Sequence, residues 1–333
     1  MVDKPKMREV PVREAVGMML PHDMTQILPG EFKGRLFKKG HVVREEDIEA
    51  LLSIGKEHIY VLEMPEGFIH EEEAGLRIAQ AVAGDGLTLT EPYEGKVSMK
   101  ATRMGLAKIN EQAVHALNEL EGIALSTIYG DQVVQQGDSV AATRIIPLIM
   151  EESRIVQLEQ LAKTFDGPII QVKPFLKKRV GIVTTGGEVF SGRIADKFGP
   201  AVRAKVEALG SEVVGQRFAP DDKDAIEREI NAFLEQGVDL VLATGGMSVD
   251  PDDRTPGAIA GVGAQVVRYG TPMLPGSMLL VAYKGDTPIL GLPGAVMHEP
   301  FTSFDVFLPR ILAGERIGES DMTRLGYGGL RKC

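Results

Sequence analysis

The segment LVLATGGMSVDPDDRTP, residues 240–256, changes character twice. Leu240, Val241, Leu242 and Ala243 make a short apolar run of the length of a buried strand, and Thr244-Gly245-Gly246 stops it. Asp250, Asp252 and Asp253 follow within four positions, and Thr255-Pro256 then reads as the start of a helix. An earlier stretch repeats the first change, with Val180-Gly181-Ile182-Val183 running into Thr184-Thr185-Gly186-Gly187-Glu188. In an open parallel sheet ligands bind beyond the carboxyl ends of the strands, so two such junctions on neighbouring strands face one crevice.

Around these junctions the pattern is regular. Strands are expected at 180–184, 212–218 and 239–243, with helices over about 195–209, 223–236 and from 255 onward. Strands alternating with helices of this length predict an α/β fold whose C-terminal part is a doubly wound, mainly parallel sheet. A hairpin over 277–283 and 287–291, a turn at Leu292-Pro293-Gly294 and a closing helix over about 297–312 complete it.

The chemistry of the junctions points to an oxyanion. Glycine, lacking Cβ, lets the backbone turn tightly and aim amides at a phosphate, and a following helix adds its positive end. Carboxylates repel phosphate. Asp250, Asp252 and Asp253 therefore belong beside one only where a cation lies between, or where they orient a proton or hydroxyl. Mg²⁺ commonly takes one or two protein carboxylates with phosphate oxygens and water. The competing reading makes Asp252 or Asp253 the cap of the helix at 255. Asp221-Asp222, after Pro220, reaches the same sheet edge and could equally cap the helix at 223.

A chain of 333 residues, 44% hydrophobic and 25% charged, fits a globular protein of two or three domains. A net charge of -10 argues against a general nucleic-acid binder, which would neutralise phosphates with clustered Lys and Arg. The single cysteine, Cys333, excludes a disulfide within this chain and a Cys-rich metal site. With no apolar signal-like region at 1–17 and no apolar run approaching the length of a membrane span, a cytoplasmic location is expected.

Residues 1–65 read as a small mixed α/β domain, with a strand leading into a short helix over 10–20, strand-turn-strand over 32–41, a helix over 45–54 and a strand over 58–62. Lys33, Arg35, Lys38 and Lys39 there offer either an anion-binding edge or a solvated strand face. Residues 66–175 read as a β-rich middle domain with its linker, 176–316 as the α/β domain and 317–333 as a tail. His115 falls on a helical stretch and reads as a packed or solvated residue.

The motifs Thr185-Gly186-Gly187-Glu188 with Gly192-Arg193-Ile194-Ala195-Asp196, then Pro220-Asp221-Asp222, Thr244-Gly245-Gly246-Met247-Ser248, Asp253-Arg254-Thr255-Pro256 and Leu292-Pro293-Gly294 come in a specific order. In that order they resemble the molybdopterin-binding domain of molybdopterin adenylyltransferases, molybdopterin molybdotransferases and the competence/damage-inducible protein A family. The resemblance implies that Asp221 and Asp253 act in the chemistry and that Asp250 and Asp253 hold Mg²⁺. It also implies that Thr185, Gly186, Gly187, Glu188, Asp222, Thr244, Gly245, Gly246, Met247, Ser248, Thr255, Pro293 and Gly294 bind the pterin cofactor. A molybdotransferase-like enzyme in molybdenum cofactor assembly is the expected function, with molybdopterin or its adenylylated form as ligand, molybdate or a nucleotide as further partner, hand-over to a molybdenum enzyme and a homo-oligomeric state.

The chain departs from the molybdotransferase pattern. The early Asp-Gly-Tyr-Ala and Thr-Gly-Ala motifs are missing, Leu274 and Ser277 stand where lysines flank Pro275-Gly276, and Pro293-Gly294-Ala295-Val296 replaces Pro-Gly-Asn-Pro. Asp252-Asp253-Arg254-Thr255 is nearer the competence-protein branch, which implies a nucleotide pyrophosphatase acting on ADP-ribose-like compounds as the alternative. A non-catalytic carrier of the cofactor is the third reading.

Overall fold

Residues 240–244 occupy the middle of a six-stranded sheet in the computed structural model, which describes residues 7–28, 32–62, 64–248, 250 and 253–331. Across the sheet the order is Glu212–Ala219, Arg179–Thr185, Leu240–Thr244, Thr287–Leu292, Leu280–Lys284 and Gln265–Tyr269. The first four run parallel. The last two join antiparallel, 280–284 forming the expected hairpin with 287–292. Strand 265–269 was not legible as a strand because it is an edge: Gln265, Val266 and Tyr269 are exposed, so no apolar run or alternation marks it.

The two faces of the sheet explain why its central strands are apolar. Leu240 and Leu242 pack with Val202, Val206, Phe304 and Phe307 on one side. Val241 and Ala243 pack with Ile226, Ile230, Phe233 and Ile259 on the other. Every residue of strand 240–244 is buried, as befits a parallel strand covered on both faces. At Gly181 a Cβ would stand 2.5 Å from the Phe233 ring, so helix Lys223–Glu235 can close onto the sheet only over a glycine.

Capping residues set helix starts that periodicity alone misplaces. Helix Phe198–Ala208 begins later than expected because Asp196 takes the amides of Phe198 at 2.9 Å and Gly199 at 3.0 Å. Thr302 and Asp305 form a capping box that starts helix Ser303–Leu312, while Gly294–Met297 is a separate short 3₁₀ turn. In the segment expected as tail, Glu319–Arg324 is a helix with Met322 buried.

The chain divides into two compact units. One comprises 1–102, 109–130 and 136–171; the other comprises 103–108, 131–135 and 172–333. In the first, Val10, Leu20, Leu51, Ile59 and Val61 share a core formed by the pairing of Met7–Pro11 with His58–Leu62 and by helix Asp47–Ser53. Residues 32–41 do not turn back on themselves: Phe32–Phe37 is one strand paired with Met24–Leu28. Strands Leu87–Leu89, Val97–Ala101, Ser139–Ile145 and Ile123–Thr127 form an antiparallel sheet beside helix Glu71–Val82. In the second unit, Lys108 pairs with Asp131 and, at 2.9 Å, with Glu315, while Arg310 reaches Glu315 and Asp321 at 2.8 Å. Strands Gln132–Val134, Gly105–Ile109 and Ile170–Pro174 form a three-stranded sheet, and its parts at 105–108, 132–134 and 172–174 belong to this unit. No helix among the described residues is long and apolar enough to cross a membrane.

Candidate functional site

Strands 212–219 and 240–244 follow strand 179–185 in the chain but lie on opposite sides of it. That reversal of direction across the sheet is the place where an open α/β sheet parts its loops and admits a ligand. The strand ends are level, Thr185 with Ala219 and Thr184 with Thr244 and, through Thr244, Leu292. The loops carrying Gly186-Gly187, Asp221-Asp222, Gly245-Gly246 and Pro293-Gly294 therefore leave one edge of the sheet together.

The second glycine junction is built around threonine. Thr255 donates from Oγ1 to the Gly245 carbonyl at 2.8 Å, and its N–H reaches the Gly246 carbonyl at 3.3 Å. Its hydroxyl also lies 3.1 Å from that of Thr185, so the ends of the two central strands are tied by side chains that are almost wholly buried. Gly245 has φ +86° and Gly246 φ +53°. A Cβ on Gly245 would fall 2.3 Å from the Thr185 carbonyl oxygen, so both backbone conformation and space demand glycine there.

At the first junction the expected pair of ligand-ready amides is already engaged. Gly186 N–H donates to the Ala219 carbonyl at 3.2 Å and Gly187 N–H to Asp221 Oδ2 at 2.7 Å. Asp221 is exposed at the mouth, as is Glu188, whereas Asp222 caps helix 223–235 by accepting from Ala225 N–H at 2.8 Å. Beneath the mouth, Gln216 bridges Asp196 at 2.6 Å and the Thr184 hydroxyl at 2.9 Å, and Thr244 donates to Thr184 at 3.3 Å.

Asp250 and Asp253 are joined by two hydrogen bonds. Asp253 Oδ2 accepts from Asp250 N–H at 3.1 Å and Asp253 N–H returns to the Asp250 carbonyl at 3.0 Å. Helix Thr255–Gly261 starts from Arg254 with no side-chain cap, so the capping reading of Asp253 is corrected; Asp252 lies outside the described residues. Met247 is buried and Ser248 exposed, and Tyr269 Oη donates to the Met247 carbonyl at 2.6 Å. Partial burial first, and the neighbouring Asp253 carboxylate second, raise the Tyr269 phenol above its ordinary pKa. Sequence reading missed Tyr269 because it missed its strand. Pro293 is buried and Gly294 exposed after strand 287–292, which is parallel to 240–244 and so brings them to the same edge.

Among the described residues no group of three or more His, Cys, Asp or Glu is arranged to hold a metal ion. Asp250 and Asp253 are two carboxylates joined through their loop, a donor set that suits Mg²⁺ when phosphate oxygens and water complete its shell. The basic edge is not a bare anion site. Arg35, Lys38 and Lys39 line a cavity of about 310 Å³ with Arg144, but Asp23, Glu71 and Glu94 line it too. Arg35 pairs with Asp23 at 3.1 Å and Lys38 lies 3.6 Å from the centre of the Tyr93 ring. The Lys33 side chain lies outside the described residues, as does Cys333.

Residues 181–313 match the model of the family described as "Probable molybdopterin binding domain". Over those residues the chain resembles a molybdopterin-binding domain. Residues 9–63 match a family described only as a domain of unknown function. A molybdopterin molybdenumtransferase of Staphylococcus aureus is 28% identical over 173 residues, 50% of this chain and 41% of that protein. A CinA-like protein of Mycobacterium tuberculosis is 38% identical over 82 residues, 25% of this chain and 19% of that protein. The molybdopterin biosynthesis enzyme MoaB from Thermus thermophilus is 27% identical, with 41% of this chain and 98% of that chain covered and a TM-score of 0.35. Coverage is partial: the chain spans about two fifths of the molybdenumtransferase, 41% of its length.

Proposed function

We propose that the crevice binds molybdopterin or its adenylylated form and that the chain acts in molybdenum cofactor assembly as a molybdotransferase-like enzyme using Mg²⁺. The observation that carries this reading is the convergence of the Gly245-Gly246 turn, Asp221 and the Asp250–Asp253 loop at the topological switch of a molybdopterin-binding-type domain. Thr255 holds the carbonyls of Gly245 and Gly246, and their amides are the assigned phosphate donors. Gly186 and Gly187 shape the opposite wall rather than supplying free amides, since both are engaged. Asp221 orients the pterin or its side chain. Asp250 and Asp253 would hold Mg²⁺, which neutralises charge on the phosphate oxygens when bound. Thr185, Thr244, Pro293 and Gly294 form the floor and rim, with Glu188, Met247 and Ser248 beside them.

A second reading, hydrolysis of an ADP-ribose-like nucleotide, draws on Asp252-Asp253-Arg254-Thr255 and on the local match to the CinA-like protein. The two separate in one assay. Incubated with adenylylated molybdopterin, molybdate and Mg²⁺, the protein should release AMP in a molybdate-dependent manner. Absence of that release, together with hydrolysis of ADP-ribose, would replace the transferase with the hydrolase; absence of both, with pterin bound, would make the chain a carrier.

A further inference from the structure

We propose that Tyr269 is a positioning residue of the crevice, its hydroxyl fixing the loop that carries Asp250 and Asp253; the inference rests on the molybdopterin reading of that crevice. Tyr269 ends the edge strand 265–269, which pairs antiparallel with 280–284 and so runs in the same direction as the four parallel strands. Its hydroxyl lies 2.6 Å from the Met247 carbonyl and 3.3 Å from that of Ser248. Both acceptors are backbone atoms of the loop, so the phenol acts on the loop and through it.

Tyr269 is the outer anchor of the loop. The inner anchor is Thr255, bonded to the carbonyls of Gly245 and Gly246. Between them Met247 is buried, its thioether filling space that a Cβ on Gly291 would enter at 2.5 Å. Beyond Met247 the backbone leaves the core: Ser248 and Asp250 are exposed, and the tyrosine hydroxyl is what ties the chain back to the sheet at that point. The Asp253 carboxylate also acts electrostatically on the phenol. Tyr269 is 39% exposed, so replacing it with Phe keeps the modest packing of the residue and removes the tether.

Because an aspartate pair holds Mg²⁺ only when its spacing is kept, slackening the loop costs the metal-dependent part of binding first. Molybdopterin retention is to be measured with and without Mg²⁺ for wild type, Tyr269→Phe, Asp253→Asn and the double variant, alongside amide hydrogen exchange over 245–250 and thermal midpoints. Tyr269→Phe should cut the gain in retention that Mg²⁺ supplies by about tenfold, the loss expected of one hydrogen bond of this kind. It should speed exchange at loop amides and leave the midpoint close to wild type. The double variant should lose no more of the Mg²⁺ gain than Asp253→Asn alone, because both changes act on one pair. A full Mg²⁺ gain in Tyr269→Phe, or losses that multiply in the double variant, would overturn the role. Should wild type itself retain no molybdopterin, the functional reading fails, and exchange decides on Tyr269 separately: faster exchange upholds the tether and unchanged exchange removes it.

Discussion

Gly187 and Asp221 are joined across the mouth of the crevice: the glycine amide donates to Oδ2 at 2.7 Å, linking the loop after strand 179–185 to the loop after 212–219. One carboxylate thus holds a wall in place and keeps a charge at the mouth. The two roles separate by substitution. Asp221→Asn keeps an acceptor for the Gly187 amide and should leave the thermal midpoint unchanged while weakening pterin retention at least tenfold. Asp221→Ala should in addition destabilise by about 1 kcal/mol, the usual worth of such a bond. Equal retention in wild type and Asp221→Asn would remove its charge from the site.

Gly245 is the most constrained position of the second junction. With φ +86° and the Thr185 carbonyl 2.3 Å from where a Cβ would stand, Gly245→Ala should cost about 2–3 kcal/mol and abolish retention. Gly237→Ala is the control, since Gly237 has φ +66° with open space around it. It should cost about 1 kcal/mol and leave retention intact. Urea unfolding of both variants checks the ordering; similar costs would show that crowding by Thr185 is unimportant.

The central strands, their flanking helices and the glycine junctions were legible because burial on both faces forces apolar runs such as 240–243, and tight turns force glycine. Legibility stopped where tertiary partners decide. Edge strand 265–269 carries no apolar pattern, the late start of helix 198–208 depends on Asp196, and the engagement of the Gly186 and Gly187 amides depends on Ala219 and Asp221, distant in the chain. Asp222 resolved as a helix cap and Asp253 did not, a distinction that the sequence around each leaves open.

In the other unit, Arg77 grips Glu159 through Nε at 2.8 Å and Nη2 at 3.0 Å and reaches Glu152 at 2.7 Å. The hydrogen bond from Arg77 is the main reason that the Glu159 carboxyl lies below its ordinary value of 4.5. A carboxyl lowered in this way stabilises the fold fully above its ordinary value, and the benefit is lost as pH falls through the lowered folded value. Glu159→Gln should therefore cost about 1 kcal/mol at neutral pH, and the gap to wild type should close in acid. A gap independent of pH would assign the loss to packing.

Asp253→Asn should lower Mg²⁺-dependent AMP release by more than it lowers pterin retention, because the loop keeps its shape while the pair loses charge. Parallel kinetics and binding on one preparation give the comparison. Equal losses would mean that Asp253 only shapes the pocket.

The central claim is that the crevice holds molybdopterin. Incubating the purified chain with molybdopterin, removing free ligand, oxidising and reading pterin fluorescence in the protein fraction, with ADP-ribose as competitor, tests it directly. The account predicts retained pterin that ADP-ribose does not displace. No retention, with ADP-ribose hydrolysed instead, would contradict it.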